Sequence, residues 1–232
     1  MSNILFIDGT KGFSPTRLDE KPTGGIITSL TLIPRYLASK GHTVTVLSLY
    51  PENVRIADVQ YVNKPDNLHP DIVVFNRNLI NWGSVERFKA AKKVWWLHDI
   101  VDYRYLDDNA FTAVDKIVAL SDYNVASYSD YYTIERSKFT IIPNGVDNDV
   151  FYKGDYSKRD KNLYICASAP VKGLYPVEFS LYNLKRFNPD IKFRLYVSQS
   201  LHDYENDKQT DTLFDKLRSM GAEICEPIPQ KD

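Results

Sequence analysis

Short apolar runs alternate with helix-forming segments along this chain, and this alternation constrains the fold more than any other feature. The first apolar run is residues 4–7, a segment of helical periodicity follows at residues 24–40, and the next run is residues 43–48. Apolar runs of this length, separated by helices, are typical of strands in a parallel sheet that is buried on both faces. The sequence therefore predicts an α/β protein.

The first part of the chain predicts one such sheet. Pro34 falls inside the first helical segment, where it predicts a kink or a break, and Gly41 predicts the end of that helix. Because crossovers between parallel strands are right-handed, the result is a Rossmann-like domain over residues 1–150. Strands are predicted at residues 4–7, 43–48, 72–75, 94–97, 117–120 and 139–142, and further helices at residues 85–91 and 108–114.

The pattern restarts after a polar, charged stretch at residues 153–161, which predicts a linker. Strands are then expected at residues 163–167, 192–197 and 222–225, with helices at residues 175–187 and 211–220. This β-α-β-α-β order is half of a Rossmann unit. Residues 151–232 are therefore predicted to form a partial second Rossmann-like domain.

Composition and charge exclude several classes of function. The formal net charge is −1, so no overall field attracts nucleic acid, and we expect no nucleic-acid partner. No apolar run approaches the ~18 residues that a transmembrane segment needs. Cys166 and Cys225 lie in predicted strands without metal-site spacing, and the N-terminus leads directly into a strand rather than a signal peptide. Both observations predict a cytoplasmic protein with reduced thiols.

Three motifs, taken in order, carry a family resemblance. They are Gly24-Gly25 before a helix that leads into KGHTVTVLS, the strand end WWLHD at residues 95–99, and the run ALSDYN…IPNGVD within residues 116–147. Together they resemble GT-B glycosyltransferases of the glycosyltransferase 4-like (group 1) family, over most of residues 1–200. The resemblance implies a GT-B-like fold with an N-terminal acceptor-side domain. It also implies a C-terminal nucleotide-sugar domain that is truncated in this chain.

Gly24 and Gly25 are the first candidates for a donor site. Two glycines at a helix N-terminus let the backbone approach an anion, which the helix dipole favours. The resemblance implies that this loop lies near the donor diphosphate. The structural alternative is a flexible turn.

His98 is the main catalytic candidate in the first domain. It follows a predicted strand, and the carboxyl ends of strands face the crevice in open α/β sheets. The resemblance implies that His98 contacts the transferred sugar, where an imidazole can donate a hydrogen bond or stabilise developing charge. The next residue, Asp99, is expected to orient the ring or to cap the following turn. A structural histidine at a strand end is the alternative.

Lys172 and Gly173 are the catalytic and donor-binding candidates of the second domain. Breaking a glycosyl–phosphate bond leaves charge on the diphosphate, which a cation stabilises. Lys172 resembles the lysine of the family's Arg…Lys-Gly signature, whereas Ser168 and Ala169 stand where the family's arginine is expected. A solvated loop lysine is the alternative.

Ser121, Asn144 and Gly145 are lesser donor-binding candidates. Ser121 follows a predicted strand, and Asn144-Gly145 lies between the two predicted domains, where Gly145 is expected to supply a positive φ and Asn144 to bond its own turn. The Asp-Asn-Asp sequence at residues 147–149 is interpreted as a turn rather than as a metal motif.

The resemblance implies a retaining glycosyltransferase of the hexosyltransferase type, which needs neither a metal nor another cofactor. Its donor is expected to be a nucleotide sugar, and its acceptor a glycan, a lipid or a protein. The family's paired-glutamate motif does not follow residues 222–225. The alternative is therefore a non-catalytic binding or partner module derived from such an enzyme. Since an unfinished sheet edge tends to pair, a homodimer or a partner chain that completes the second domain is also expected.

Overall fold

A computed structural model describes residues 1–77, 81–100, 108–146, 155–168, 170, 174–197 and 207–228. The chain forms two compact units. One consists of Met1–Pro15 and Gly25–Val146, and the other of Thr16–Gly24 and Asp147–Asp232. Each unit contains helices and a sheet whose strands are mostly or wholly parallel, so the predicted α/β class is confirmed.

The first unit is built on an eight-stranded sheet. Its strands are β1 (Asn3–Ile7), β2 (Thr43–Leu47), β3 (Val54–Ile56), β4 (Val59–Val62), β5 (Ile72–Asn76), β6 (Lys92–Trp96), β7 (Lys116–Ala119) and β8 (Phe139–Ile141). Their order across the sheet is β3-β4-β2-β1-β5-β6-β7-β8. β3 pairs with β4 antiparallel, and every other pair described in this sheet is parallel.

The central strands are apolar because both faces of the sheet are covered. Along β1, Leu5 and Ile7 join one hydrophobic core, whereas Ile4 and Phe6 join the core on the opposite face. This alternation follows from the two-residue period of a strand. The continuous apolar runs in the sequence are therefore a consequence of burial on both sides.

Five α-helices lie among the described residues that precede the second sheet in the chain. They are α1 (Arg17–Glu20), α2 (Gly25–Ser39), α3 (Trp82–Arg87), α4 (Asp108–Thr112) and α5 (Asp122–Tyr132). α2 continues through Pro34, so the break considered from the sequence does not occur. Proline removes one backbone hydrogen bond, but Ile27 and Leu30 are buried on the same helix and stabilise it by packing. Gly41 adopts φ +89° after the helix, which confirms the predicted end.

The β3–β4 hairpin is an element that the sequence pattern did not reveal. Its turn residues Ala57 and Asp58 have φ values of 48° and 61°. Two positive values are typical of a type I′ turn, which usually contains Asn-Gly or Asp-Gly. Ala-Asp lacks the glycine, so the usual hairpin signal is absent. Val59 and Tyr61 of β4 are nevertheless fully buried, and they anchor the hairpin to the sheet.

The second unit has a parallel three-stranded sheet in the order β11-β10-β9. Its elements are β9 (Leu163–Cys166), α6 (Leu174–Phe187), β10 (Lys192–Tyr196), α7 (Lys208–Ser219) and β11 (Ala222–Cys225). This is the β-α-β-α-β order expected from the sequence. The core is centred on Leu181, Leu195 and Leu217, all fully buried.

β9 is an edge strand within the described residues, and it exposes apolar side chains. Ile165 is 63% exposed and Tyr164 is 44% exposed. Cys166 and Cys225 are free, half-buried thiols, and burial raises the pKa of both. Within the part of the chain that is described, no helix has the length and apolar character needed to cross a membrane.

Candidate functional site

Three polar side chains meet at the carboxyl ends of neighbouring strands. β1 pairs with β5, and β5 pairs with β6, all in parallel. Asp8 directly follows β1, Asn76 is the last residue of β5, and His98 lies two residues beyond β6. Because parallel strands end at the same edge of a sheet, these residues lie together at the carboxyl edge of the first sheet.

The three side chains are connected by hydrogen bonds. Asn76 Nδ2 donates to Asp8 Oδ1 at 2.7 Å, and Asn76 Oδ1 lies 2.8 Å from His98 Nε2. Asp8 also accepts two bonds from Thr10, one from the backbone N–H and one from the hydroxyl, each at 3.0 Å. Asn76 is fully buried and Asp8 is 4% exposed, so this network is fixed inside the sheet edge rather than solvated.

The environment of His98 keeps its ring neutral at neutral pH. Burial lowers the pKa of His98 to about 4; the Asp99 carboxylate opposes this shift, and the Arg77 cation adds to it. The ring also lies against Trp96, with 4.4 Å between ring centroids. A neutral, packed imidazole can accept or donate one hydrogen bond per nitrogen, but it carries no positive charge for a diphosphate.

Asp99 pairs with Arg77 rather than serving as a ring partner of His98. Arg77 Nη2 donates to Asp99 Oδ2 at 2.9 Å, and the Asp99 carbonyl accepts from the Tyr128 hydroxyl at 2.9 Å. Arg77 itself has φ 59°, an uncommon value for a residue other than glycine. Its carbonyl accepts a bond from Trp95 Nε1. These bonds connect Arg77, which directly follows β5, to Trp95 and Asp99 on either side of His98 in the sequence.

Gly24 and Gly25 lie at the start of α2, with Gly25 as its first residue. A Cβ atom added at either glycine would meet nothing within 4 Å, and neither has a positive φ. The chain itself therefore does not require glycine at these positions. The first turn of α2 carries no acidic side chain, so the positive end of the helix dipole is not neutralised there.

Ser121 serves as the N-cap of α5. Its hydroxyl accepts a bond from the Asn124 backbone N–H at 3.3 Å, and Asn124 Oδ1 in turn accepts from the Leu120 N–H at 3.2 Å. These bonds satisfy backbone groups at the β7–α5 junction. Ser121 follows β7, which pairs with β6, so it lies one strand beyond the strand that leads to His98.

Asn144 and Gly145 lie in an exposed segment with no turn or regular element. The expectation of a positive φ at Gly145 is wrong. The physical reason is that the chain forms no tight turn there, so no left-handed residue is needed. Lys172 and Gly173 lie outside the described residues, as does the segment at residues 147–149.

Among the predicted site residues that the structure describes, His98 is the one that joins the buried network. Asp8 and Asn76 are functional candidates that sequence reasoning missed. The sequence did contain a signal for both, because Asp8 follows the apolar strand β1 and Asn76 ends the apolar strand β5. No group of three or more metal-ligating side chains occurs within the described ranges.

No protein-family model matches this sequence, and no curated protein sequence matches it. Solved structures do match. A glycosyltransferase from Rickettsia africae ESF-5 has a TM-score of 0.67 at 14% identity, over 98% of this chain and 69% of that chain. WaaG, a glycosyltransferase involved in lipopolysaccharide biosynthesis, has a TM-score of 0.63 at 16% identity, over 97% of this chain and 70% of that one.

A third structure is an enzyme of another kind. UDP-GlcNAc 2-epimerase from Neisseria meningitidis, solved with UDP-GlcNAc bound, has a TM-score of 0.50 at 10% identity, over 99% of this chain and 73% of that chain. Identities this low establish architecture and leave chemistry open. The chain therefore has the GT-B fold, with glycosyltransferases among its structural neighbours.

Proposed function

We propose that this chain is a retaining glycosyltransferase, or a portion of one, that transfers a hexosyl group from a nucleotide sugar to a glycan, lipid or protein acceptor. The observation that supports this most strongly is the position of His98. It is a neutral imidazole, anchored to a buried amide, at the carboxyl edge of the sheet in a GT-B fold. Residues 1–150 would bind the acceptor, and residues 151–232 would contribute part of the donor site.

Gly24 and Gly25 would bind the donor diphosphate. The space around both glycines and the absence of acidic residues in the first turn of α2 support this role. Backbone N–H groups at a helix N-terminus suit an anion. A side chain at either position would occupy the space that a phosphate oxygen needs.

His98 would contact the transferred sugar. A sugar offers hydroxyl groups, and a neutral ring that is held by Asn76 presents one remaining nitrogen to such a group. The depressed pKa keeps the ring uncharged across the physiological range. Its catalytic contribution would therefore be orientation of the sugar, and general acid catalysis by an imidazolium is not part of this proposal.

Lys172 would supply the positive charge that the leaving diphosphate requires, with Gly173 allowing close backbone approach. This role comes from the Lys-Gly resemblance. Asn144, Gly145 and Ser121 would contribute to the donor-side wall. The reaction would need no metal ion, and the protein would act in the cytoplasm.

A second candidate is a binding or partner module derived from such an enzyme. The exposed Ile165 and Tyr164 on edge strand β9 favour it, because an apolar edge is suited to pairing with another chain. In that case a second copy or a partner would complete the second sheet. The nucleotide sugar would then bind to the assembly rather than to the isolated chain.

Calorimetric titration with a panel of nucleotide sugars and free nucleotides tests the proposal. We expect micromolar binding of one nucleotide family to the wild-type chain and at least tenfold weaker binding to Lys172→Ala. Lys208→Ala, which removes an exposed lysine at the start of α7, is the matched control and should bind as wild type does. Equal affinity in all three proteins would remove Lys172 from the donor site. Absence of binding across the panel would favour the partner module.

A further inference from the structure

The buried hydrogen-bond network at the ends of β1, β5 and β6 has a direction that can be deduced from its donors and acceptors. It begins at Thr10, passes through Asp8 and Asn76, and ends at His98. Asp8 and Asn76 are buried, so water does not easily exchange for their partners. The donor and acceptor roles in each hydrogen bond of the network therefore restrict those in the next one.

The direction follows from groups whose roles are fixed. The Thr10 backbone N–H can only donate, and it donates to Asp8 Oδ2 at 3.0 Å. The Asp8 carboxylate accepts, so the Asn76 atom 2.7 Å from Asp8 Oδ1 must be the donating Nδ2. A flipped amide would place two oxygens against each other. Asn76 therefore presents its oxygen to His98.

We propose that Asp8 and Asn76 act as positioning residues that hold the proton of His98 on Nε2 and leave Nδ1 as a hydrogen-bond acceptor. Nε2 must donate to Asn76 Oδ1, because that oxygen only accepts. Asp8 and Asn76 touch no reacting atom in this scheme; they act through the ring. Among the described residues, Arg77 and Asp99 are charged groups that also act on the ring, and they pair with each other at 2.9 Å.

The assigned tautomer specifies the ligand group that His98 takes. Nδ1 of a neutral ring accepts, so its partner is a donor such as a hydroxyl, whereas a phosphate oxygen would meet a lone pair. This differs from the donating role expected from the sequence. The ligand consequence rests on the proposed function, in which the hydroxyl belongs to the donor sugar. The tautomer itself does not depend on that function.

Asp8→Asn tests this positioning role by reversing the donor-to-acceptor direction of the hydrogen-bond network. The Thr10 backbone N–H still needs an acceptor, so the new amide turns its oxygen toward Thr10 and its NH2 toward Asn76. Asn76 must then flip and donate to His98, whose Nε2 becomes the acceptor. The isosteric change is therefore expected to move the proton of His98 from Nε2 to Nδ1.

The readout is the long-range ¹H–¹⁵N spectrum of the ¹⁵N-labelled full chain at pH 7, without ligand. We expect His98 to be protonated on Nε2 in wild type and mainly on Nδ1 in Asp8→Asn. Wild-type protein with the proton on Nδ1 would overturn the proposal. A folded Asp8→Asn protein that keeps the proton on Nε2 would also overturn it, because free histidine favours that tautomer without any help.

Asp71→Asn is the matched control. Asp71 also accepts a backbone N–H, from Asn3 at 2.7 Å, but at the opposite end of β1 and β5. Asp71→Asn removes the same negative charge as Asp8→Asn and should leave the His98 tautomer unchanged. If Asp8→Asn does not fold, Asn76→Ala replaces it. The Nε2 proton of His98 should then exchange with water at least tenfold faster than in wild type, and unchanged exchange would contradict the proposal.

These outcomes are separable from those of the proposed function. The spectra are recorded without a nucleotide sugar, so the tautomer can be established even if calorimetry detects no donor. Conversely, donor binding with an unchanged tautomer in Asp8→Asn would support the donor site and overturn the role of Asp8 and Asn76.

Discussion

The side-chain oxygen of Asn76 lies 2.8 Å from Nε2 of His98, and Asn76 is fully buried. A buried amide makes a rigid support, because each of its polar groups needs a defined partner. The ring is thereby anchored from inside the sheet. This arrangement explains how the His98 side chain, which follows β6, can be held in one orientation at the carboxyl ends of the strands.

The low pKa of His98 predicts a pH dependence of stability. The folded ring has a pKa of about 4, whereas the ordinary pKa of histidine is 6.5, so between these two pH values the unfolded chain binds one proton more than the folded chain. The free energy of unfolding should therefore fall as pH drops from 6.5 toward 4. The loss should be on the order of 2–3 kcal/mol, with allowance for partial exposure of the ring.

Urea denaturation between pH 7.5 and 4.5 measures this effect. His98→Gln keeps a polar side chain but cannot titrate, so the difference between wild type and variant isolates the contribution of the ring. Below pH 6.5, the free energy of unfolding of wild type should fall smoothly relative to that of His98→Gln. Parallel stability curves for the two proteins across this range would rule out the depressed pKa.

The glycines at the start of α2 predict a separation between stability and binding. Gly24→Ala and Gly25→Ala should keep wild-type stability, since an added Cβ meets nothing within 4 Å. Both should weaken nucleotide-sugar binding at least tenfold, because the methyl group occupies the space next to the backbone N–H groups. Thermal denaturation and calorimetry of the same samples measure both properties.

Gly41→Ala is the control with the reverse pattern. Gly41 has φ +89°, where a side chain costs about 1 kcal/mol. The variant should lose stability and keep its ligand affinity. If Gly24→Ala and Gly25→Ala bind as wild type does, the two glycines form only a flexible turn.

Ser121 predicts a cap effect that can be distinguished from a role in binding. Ser121→Ala removes the bond to the Asn124 N–H and should cost about 1 kcal/mol of stability, whereas Ser121→Gly should cost only a few tenths. Chemical denaturation gives the two values. A similar loss of donor affinity in both variants would add a binding role, while unchanged affinity would leave Ser121 with the cap alone.

The exposed edge of β9 predicts self-association. Ile165 is 63% exposed, so Ile165→Lys should preserve the fold while it weakens any pairing along this edge. Sedimentation velocity over a range of concentrations should show dimers of wild type and monomers of the variant. Tyr123→Lys, on a helix of the first unit and 70% exposed in wild type, should behave as wild type. Wild-type protein that stays monomeric at every concentration would contradict the prediction.

The alternation of apolar runs and helical periodicity was sufficient to predict the parallel sheets, because burial on both faces imposes a continuous apolar pattern. The β3–β4 hairpin was missed, because Ala57-Asp58 forms its turn without a glycine. The site was predictable only in part. His98 carries a family resemblance, whereas Asp8 and Asn76 become informative once the strand order places β1, β5 and β6 side by side.

The carboxyl edge beside Asn76 is proposed to bind the transferred sugar. The NMR spectrum of His98 during titration with a nucleotide sugar shows whether it does. The nucleotide sugar that binds tightest in calorimetry is added to ¹³C-labelled protein, and its free nucleoside diphosphate is added to a second sample. We predict that the ring signals of His98 shift with the nucleotide sugar and much less with the diphosphate, while those of His42 stay unchanged in both. If saturating nucleotide sugar leaves the His98 signals in place, or if the diphosphate shifts them equally, the edge beside Asn76 does not bind the transferred sugar.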